Sequence, residues 1–287
     1  MLKQYSRLLI GAAFALATTL IMSLAAAATK YTAQFVSIEQ IVLTQYLICT
    51  LLMLPWLARK GITTLKTERP LLHLIRGFSG WLCFYTYYLA LKQIPLGEAS
   101  LLRNSAPLIV PVLVLLWLKY KMPLINWLPV ILGFIGIGFV LKPDGGSANP
   151  WHLVAFTSAL ALTVSIVTTR VLTLTEPTNR ILFYYFTLSL LFSLPLALSN
   201  WQPIPLVSVP FLLGISLSIW LIMWLYTQAY SYAKATIIAP LSYFGVLFAG
   251  LLGWLFWQQV PDMMAVIGAV LIIGGGIGSV WLGRESN

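Results

Sequence analysis

An arginine, an asparagine and two prolines interrupt the otherwise apolar stretch SLLRNSAPLIVP. A guanidinium group carries a permanent charge and a planar fork of N–H donors that matches a carboxylate or a phosphate. Pro107 lacks the N–H that would bond the Arg103 carbonyl, and Pro111 has the same effect on the carbonyl of Pro107. The stretch therefore predicts a locally broken helix at Pro107 and Pro111, where Arg103, Asn104 and Ser105 form a polar, anion-binding patch.

The composition places this patch inside a membrane protein. Hydrophobic residues make up 60% of the 287 residues and charged residues only 8%, and the mean hydropathy is +0.90. Too little polar surface remains to cover a soluble globule. Because a spanning helix needs about 20 mostly apolar residues and a short connection, the length accommodates roughly ten spans and no soluble domain.

Apolar runs separated by polar or proline residues predict ten membrane-spanning helices. Their approximate ranges are 8–28, 38–57, 72–91, 97–118, 124–141, 151–173, 181–199, 209–230, 235–257 and 263–283. The predicted fold class is all-α, with two five-helix repeats, residues 1–145 and 146–287, around a central cavity.

The distribution of basic residues predicts the orientation. With the N-terminus inside, only Lys30, Lys92 and Lys142 of the 17 Lys and Arg residues fall outside, and Arg103 lies within the membrane. Positive residues are retained on the cytoplasmic side, so both termini are expected there. The net charge of +10 is explained by topology, and no nucleic-acid partner is expected.

Internal repetition indicates how the two halves are related. At an offset of 138 residues, ASLLRNSAPLIVP aligns with IIAPLSYFGVLFA, and WLKYKMP aligns with LFWQQVP. Pro240 is expected to break the ninth helix, as Pro107 does the fourth. An odd number of spans per repeat makes the halves enter the membrane in opposite senses, an arrangement typical of alternating-access carriers with a midplane site.

Arg103 is expected about 9 Å inside the hydrocarbon, six residues after Gly97. A charge there costs about 2.5–3.5 kcal/mol on insertion scales, so it should face the bundle interior and contact substrate or act in gating. Two other interpretations remain: Arg103 snorkels to the outer headgroups, or it pairs with Glu98 or Glu39 as a static gate. Arg76, one turn into the third span, is expected to snorkel and to have a structural role.

Aromatic side chains recur at helical spacing on two equivalent helices. Trp81, Tyr85 and Tyr88 share one face of the third helix. The eighth helix carries Trp220, Trp224 and Gln228 in the same pattern, and Tyr243 follows on the ninth. These residues would wall a cavity and stack on a flat or cationic ligand. The alternative is that they are packing residues or interfacial belt residues.

Other polar or small residues carry weaker signals. His73 and His152 are expected to be lone surface residues at span edges, and Cys49 and Cys83 to be reduced structural residues. No cofactor and no metal site are expected. The glycines of GFIGIG and GGGIG allow close helix packing, either within one repeat or between two copies of the chain, so a monomer and a homodimer both remain open.

Several segments together resemble a known family. They are HLIRGFSGWLCFYTYYLALKQIPLGEASLLRNSAPLIVPVL, GFIGIGFVLKP, YSYAKATIIAPLSYFGVLFAGLLGWLFW and IGAVLIIGGGIG. Over nearly the whole chain the sequence resembles the drug/metabolite transporter superfamily, specifically its EamA-type ten-helix members. The resemblance implies a cavity lined by the third, fourth, eighth and ninth helices and transport of amino acids or other small metabolites. TLKTERPLLHLIRG is also similar to the S-adenosylmethionine uptake branch.

These observations predict a secondary transporter of the bacterial inner membrane, surrounded by lipid, whose substrate is a small amino-acid-like or carboxylate-bearing metabolite. S-adenosylmethionine uptake or exchange is the alternative, and a channel or a scaffold is less favoured. The sequence shows no arrangement of nucleophile, base and metal ligands that would indicate an enzyme. Because Glu39 and Glu98 lie at outer helix ends, facilitated diffusion or exchange is expected instead of tight proton coupling.

Overall fold

A computed structural model describes residues 2–118, 125, 127–141, 149–232 and 241–282, and these residues are helical apart from short connections. In the first half, α1 is Leu2–Thr32, α2 Ile38–Lys60, α3 Pro70–Gln93, α4 Leu96–Arg103, α5 Ala106–Leu118 and α6 Trp127–Leu141. In the second half, α7 is Pro150–Leu172, α8 Thr178–Ser199, α9 Val209–Tyr232, α10 Phe244–Trp257 and α11 Met263–Leu282.

These helices confirm the predicted all-α membrane fold. The pair α4 and α5 corresponds to the fourth predicted span, and each other helix to one span. Five helices, α1, α2, α7, α8 and α9 with its preceding turn, are long and apolar enough to cross a membrane. Helix starts follow local chemistry, since Pro70 and Pro150 occupy first-turn positions and the Asn149 side chain accepts a hydrogen bond from the Trp151 N–H.

The contacts between helices follow a two-fold pattern. Helix α3 packs on α7, and α9, the counterpart of α3, packs on α1, the counterpart of α7. Likewise, α3 contacts α8, and its counterpart α9 contacts α2. Helices α4 and α5 both contact α7, and their counterpart α10 contacts α1. Helices α2 and α8 pair with each other, as do α6 and α11. Each half therefore completes the other in equivalent ways.

Equivalent helices run in opposite directions. The Gln40 side chain, at the start of α2, donates to the Gln202 carbonyl just after α8, whereas Trp56 near the end of α2 contacts Phe183 near the start of α8. Helix α6 meets α11 in the same antiparallel way, with Gly136 beside Gly268. The two halves are thus inverted relative to one another, as the odd number of spans requires.

The glycine-rich segments form the contact between α6 and α11. A Cβ atom on Gly136 would lie 2.8 Å from the Gly268 carbonyl, and one on Gly275 would lie 2.5 Å from the Pro129 carbonyl. Gly133 and Gly276 pack within their own repeats, on Leu108 and Tyr243, as one of the two expectations stated. Gly136 and Gly275 also bring the last helices of both repeats together, which the sequence did not predict.

Neighbouring glycines of α11 provide a test of this contact. We expect Gly275→Ala to destabilise the fold by about 1–3 kcal/mol, because the added methyl group would meet backbone atoms of α6 that cannot move aside. Gly274→Ala is the matched control, since nothing lies within 4 Å of its added Cβ. Thermal unfolding in detergent compares the two, and equal melting temperatures for both variants would contradict the packing.

A polar cluster joins the loop before α3 to the loop before α8, at the predicted cytoplasmic end. The Thr67 hydroxyl donates to Glu176 over 2.5 Å, and the Arg180 guanidinium donates to the other oxygen of that carboxylate over 2.6 Å. His73 stacks on Tyr184 with ring centroids 4.3 Å apart, and its Nε2 lies 4.0 Å from Glu176. His73 is buried, so the expectation of a lone surface histidine is wrong.

The cluster gives the stability of the chain a defined pH dependence. Burial alone would raise the pKa of the Glu176 carboxyl, but the hydrogen bonds from Thr67 and Arg180 and the charge of Arg180 together lower it below its ordinary value. Because the pKa of Glu176 is lower in the folded state, its ionised carboxylate stabilises the fold at pH values above the unfolded-state pKa of about 4.3. This stabilisation is lost as the pH falls through the folded-state pKa.

We therefore expect the melting temperature of the wild-type chain to fall between pH 6 and pH 3.5 by more than that of Glu176→Gln. The variant should already be less stable at pH 6, because its neutral amide attracts Arg180 less strongly. Glu68→Gln, which changes an exposed carboxyl in the same loop, is the control and should follow the wild-type profile. Parallel profiles for the wild-type chain and Glu176→Gln would contradict the assignment.

Candidate functional site

The fourth span is interrupted next to its proline. Helix α4 ends at Arg103 and α5 begins at Ala106, three residues after Arg103. The Asn104 side chain donates to the Ser100 carbonyl over 2.8 Å, and the Ser105 hydroxyl donates to the Leu102 carbonyl over 2.6 Å. These two predicted site residues thus satisfy backbone groups at the interruption. Pro107 lies in the first turn of α5. Pro111 lies inside that helix without interrupting it, so the expectation that Pro111 breaks the span is wrong.

The Arg103 side chain lies against the middle of α3. Its guanidinium carbon is 5.3 Å from the centre of the Phe84 ring and 5.1 Å from that of Tyr87. The Cys83 thiol also interacts with the guanidinium, whereas the buried Nε atom has no hydrogen-bond partner. A cation over aromatic faces is partly stabilised, but the Nε donor of Arg103 has no partner among the described residues.

Neither carboxylate considered as a partner pairs with Arg103. Glu98 lies 2.7 Å from His152, and Glu39 accepts a hydrogen bond from the Tyr85 hydroxyl over 3.0 Å. Within the described ranges, no carboxylate oxygen lies within 4 Å of the Arg103 guanidinium. Among the described residues, this positive charge therefore has no carboxylate counter-ion.

A second arginine lies inside the bundle. Arg76 is 8% exposed, stacks over the Tyr185 ring at 3.9 Å, and donates to the Ser165 hydroxyl over 2.5 Å. Its Nε has no partner, and it also forms no ion pair with a described carboxylate. The expectation that Arg76 snorkels to the surface is wrong, because α7 and α8 enclose its side chain.

The two arginines belong to one polar region along α3. Cys83 follows Arg76 by seven residues, or about 10 Å of helix rise, and its thiol lies within electrostatic range of both guanidinium groups. Between them, the Tyr46 hydroxyl is 3.1 Å from the Tyr185 hydroxyl and donates to the Gly80 carbonyl. Two guanidinium forks among tyrosines can bind an acidic group bidentately.

The predicted aromatic face of α3 contacts several partners. Trp81 and Tyr85 stack on each other with ring centroids 5.4 Å apart, and Trp81 also contacts Phe192 of α8. Tyr88 is 1% exposed and donates to the Gln45 side chain over 2.6 Å. The structure therefore places Phe84 and Tyr87 beside Arg103, while Trp81 and Tyr85 lie between α8 and the start of α2.

The predicted residues of the second half are spread over two helices. Trp224 of α9 is 47% exposed and meets the edge of Phe14, and Gln228 is half-buried. Tyr243, just before α10, is 4% exposed, and its hydroxyl approaches Gly276 of α11 without a hydrogen-bond partner. Pro240 lies outside the described residues. The structure does not bring Trp224 or Tyr243 into contact with Arg103.

The residues that sequence reasoning missed have a recognisable spacing. Arg76, Cys83 and Tyr87 recur at intervals of seven and four residues, which places them on one face of a helix. Projecting the buried face from Arg76 would have found Cys83 and Tyr87. Tyr185 and Ser165 have no comparable local signal, since both come from the other half. Among the described residues, no group of three His, Cys, Asp or Glu side chains could hold a metal ion.

Comparison with known proteins identifies the family to which this bundle belongs. The chain matches the EamA-like transporter family over residues 9–142 and again over residues 149–281. It belongs to that family. The EamA-like transporter described here is therefore a multi-pass membrane protein that transports small molecules.

Individual relatives have different named substrates. The transporter is 32% identical to the pseudopaline exporter CntI of Pseudomonas aeruginosa, covering 82% of this chain and 83% of that protein. It is 26% identical to the S-adenosylmethionine uptake transporter of Rickettsia bellii, and the alignment covers 85% of this chain and 84% of that protein. It is 27% identical to the riboflavin transporter of Vibrio cholerae, and the alignment covers 87% of each protein. A crystal structure with a TM-score of 0.62, 20% identical and covering 99% of both chains, shares the fold.

The unpaired charge of Arg103 makes a prediction about stability. Arg103→Met keeps a flexible apolar side chain and removes a charge whose burial costs about 2.5–3.5 kcal/mol on insertion scales. We expect this EamA-like transporter to unfold at a higher temperature with Arg103→Met, by the equivalent of about 1 kcal/mol or more. Arg180→Met, which removes donors to Glu176 and Thr64, is the control and should lower the melting temperature. A comparable loss in both variants would mean that Arg103 is structural.

Proposed function

We propose that the chain is a secondary transporter that moves a small carboxylate-bearing metabolite, such as an amino acid derivative, across the bacterial inner membrane by alternating access. The observation that carries the proposal is the pair of interior guanidinium groups, Arg76 and Arg103, without a carboxylate partner among the described residues. Both termini are cytoplasmic in this proposal, and residues 1–145 and 146–287 are the two repeats.

The charge of the site favours an anionic group on the substrate. A permanent cation in hydrocarbon is costly and is retained where it binds an ion or a substrate. Arg103 can form two parallel hydrogen bonds with a carboxylate, and Phe84 and Tyr87 provide aromatic surface beside it. Arg76 supplies additional positive potential from two turns away along α3.

The relation between the halves supports alternating access. Equivalent helices are antiparallel and contact each other in matched pairs. If the two halves exchanged their conformations, access to the central site would therefore move from one side of the membrane to the other. The site lies where the interrupted span meets α3, near the middle of that helix.

Uptake or exchange of S-adenosylmethionine is the second candidate. This molecule combines an amino-acid carboxylate with a sulfonium cation and a flat adenine. The stacked rings of Trp81 and Tyr85, inclined at 7° to each other, would suit the cation or the base. Four relatives named as S-adenosylmethionine uptake transporters are 25% or 26% identical to this chain. A channel or a scaffold gives no comparable reason for two interior arginines that have no carboxylate partner among the described residues.

A ligand pair that differs in one group tests the role of the carboxylate. We expect S-adenosylmethionine, or a free amino acid in the same screen, to raise the melting temperature of the purified chain, because a ligand of the folded state stabilises it. Decarboxylated S-adenosylmethionine or the corresponding amino acid methyl ester should not. Arg103→Ala should remain folded and lose the shift, and Arg103→Lys should retain at most a tenth of the affinity.

Transport itself is measured in proteoliposomes loaded with the compound found in the screen. Counterflow, in which unlabelled internal substrate accelerates entry of labelled substrate, is expected of a carrier and not of an open pore. Equal binding of the carboxylate and its ester, or normal counterflow by Arg103→Ala, would contradict the proposed site.

A further inference from the structure

A buried acid and base pair connects the two halves near the predicted outer end. Glu98 lies in the first turn of α4 and His152 in the first turn of α7. They are 6% and 5% exposed, and the Nε2 atom of His152 is 2.7 Å from a carboxylate oxygen of Glu98. No spacing in the sequence predicted this pair, and the expectation that His152 is a lone surface histidine is wrong.

The second imidazole nitrogen is available for a proton. Nδ1 of His152 is buried and has no hydrogen-bond partner among the described residues. When Nε2 carries its hydrogen and donates it to the Glu98 carboxylate, Nδ1 is a bare acceptor, and the pair has one negative charge. One proton added to Nδ1 makes the pair neutral overall without breaking the hydrogen bond.

Other charged groups near this end have their own partners or lie apart. Lys30 of α1 donates to the carbonyls of Leu91 and Ile94 at the end of α3, and Lys92 is exposed. On α3, the Tyr87 hydroxyl bonds with Ser100.

The remaining elements that pack on α4 add few charges. Helices α6, α10 and α11 contain no titratable side chain, and Asp262 precedes α11. Glu98 takes part in a further polar interaction besides His152. Lys142 and Asp144, which follow α6 in sequence, lie outside the described residues.

We propose that Nδ1 of His152, held by Glu98, is a proton-binding site that couples transport to the movement of one proton in each cycle. The pair joins α4 to α7, so relative movement of the two halves changes its access to water. Arg103 lies five residues beyond Glu98, about 7.5 Å along the helix direction. An anion bound there favours the proton, and the proton favours the anion, because linked binding is reciprocal.

This inference rests on the proposed function, because it takes Arg103 as the binding site of an anionic substrate. It replaces the expectation of facilitated diffusion or exchange, which assumed that Glu98 lay at an outer helix end without a base beside it. A proton-coupled carrier requires an interior group that accepts and releases protons during the cycle. The Glu98 and His152 pair is such a group.

The proton site can be tested without a substrate. The chain has two histidines, so ¹⁵N-imidazole NMR of the full chain in micelles gives two sets of signals, and His73→Gln assigns them. We expect His152 to carry its hydrogen on Nε2 at high pH and to gain a proton on Nδ1 as the pH falls towards 4. Glu98→Gln should lower its proton affinity about tenfold, because the amide no longer stabilises the imidazolium.

Glu39→Gln is the matched control, because Glu39 is a partly buried carboxyl that bonds to Tyr85 and not to a histidine. This variant should leave the titration of His152 unchanged. A His152 that keeps one protonation state from pH 4 to pH 9 in the wild-type chain would overturn the proposal, even if Glu98→Gln fails to fold. An unchanged proton affinity in a folded Glu98→Gln variant would also overturn it.

The coupling is tested with the compound found in the binding screen. In proteoliposomes with an imposed pH gradient, His152→Gln should lose at least tenfold of the gradient-driven accumulation while it retains counterflow. Retained accumulation, or loss of counterflow as well, would overturn the coupling. If no compound is transported by the wild-type chain, the proposed function fails, and the imidazole titration alone decides whether the proton site exists.

Discussion

Polar groups inside the hydrocarbon must find their partners within the protein, and several of them in this chain find those partners only in the other half. Arg76 of the first half donates to Ser165 of the second, and the hydroxyl of Tyr46 lies 3.1 Å from that of Tyr185. The Ser189 hydroxyl donates to the Gly77 carbonyl in the same way. Because water is absent at this depth, each unmade bond would cost several kcal/mol. The two halves therefore stabilise each other through buried polar contacts as well as through packing.

Arg103 departs from this pattern. Its charge rests on two aromatic faces and has no described carboxylate beside it, although Arg76, two turns away, is at least partly satisfied. The interrupted span places it at the level where the inverted halves meet. Because the Arg103 guanidinium has no carboxylate partner among the described residues, it is able to bind a ligand. The same buried charge lowers the stability of the empty protein. The glycine contact of α6 with α11 holds the halves together away from that level.

Much of the fold follows from local sequence features. Hydropathy and length predicted ten spans, and most helix ends lie within a few residues of the expected positions. The interruption of the fourth span lies beside Pro107, and Arg103 faces the interior because its charge is too costly in lipid. The residues that lie beside Arg103 could not be predicted from local sequence features. Helical spacing grouped Trp81 with Tyr85, and the structure stacks them on each other, but Phe84 and Tyr87 lie beside the guanidinium.

The sequence by itself determined the solvent, the number of spans and the opposite senses of the halves, because these depend on composition, span length and an odd number of spans per repeat. Only the tertiary structure decided which side chains meet, such as Glu98 with His152, 54 residues apart, or Tyr46 with Tyr185, 139 residues apart. The physical reason is that lipid tails are as apolar as the bundle interior. The apolar side chains of a helix therefore do not show which face points inward, and its rotation is set by packing against helices from the other half.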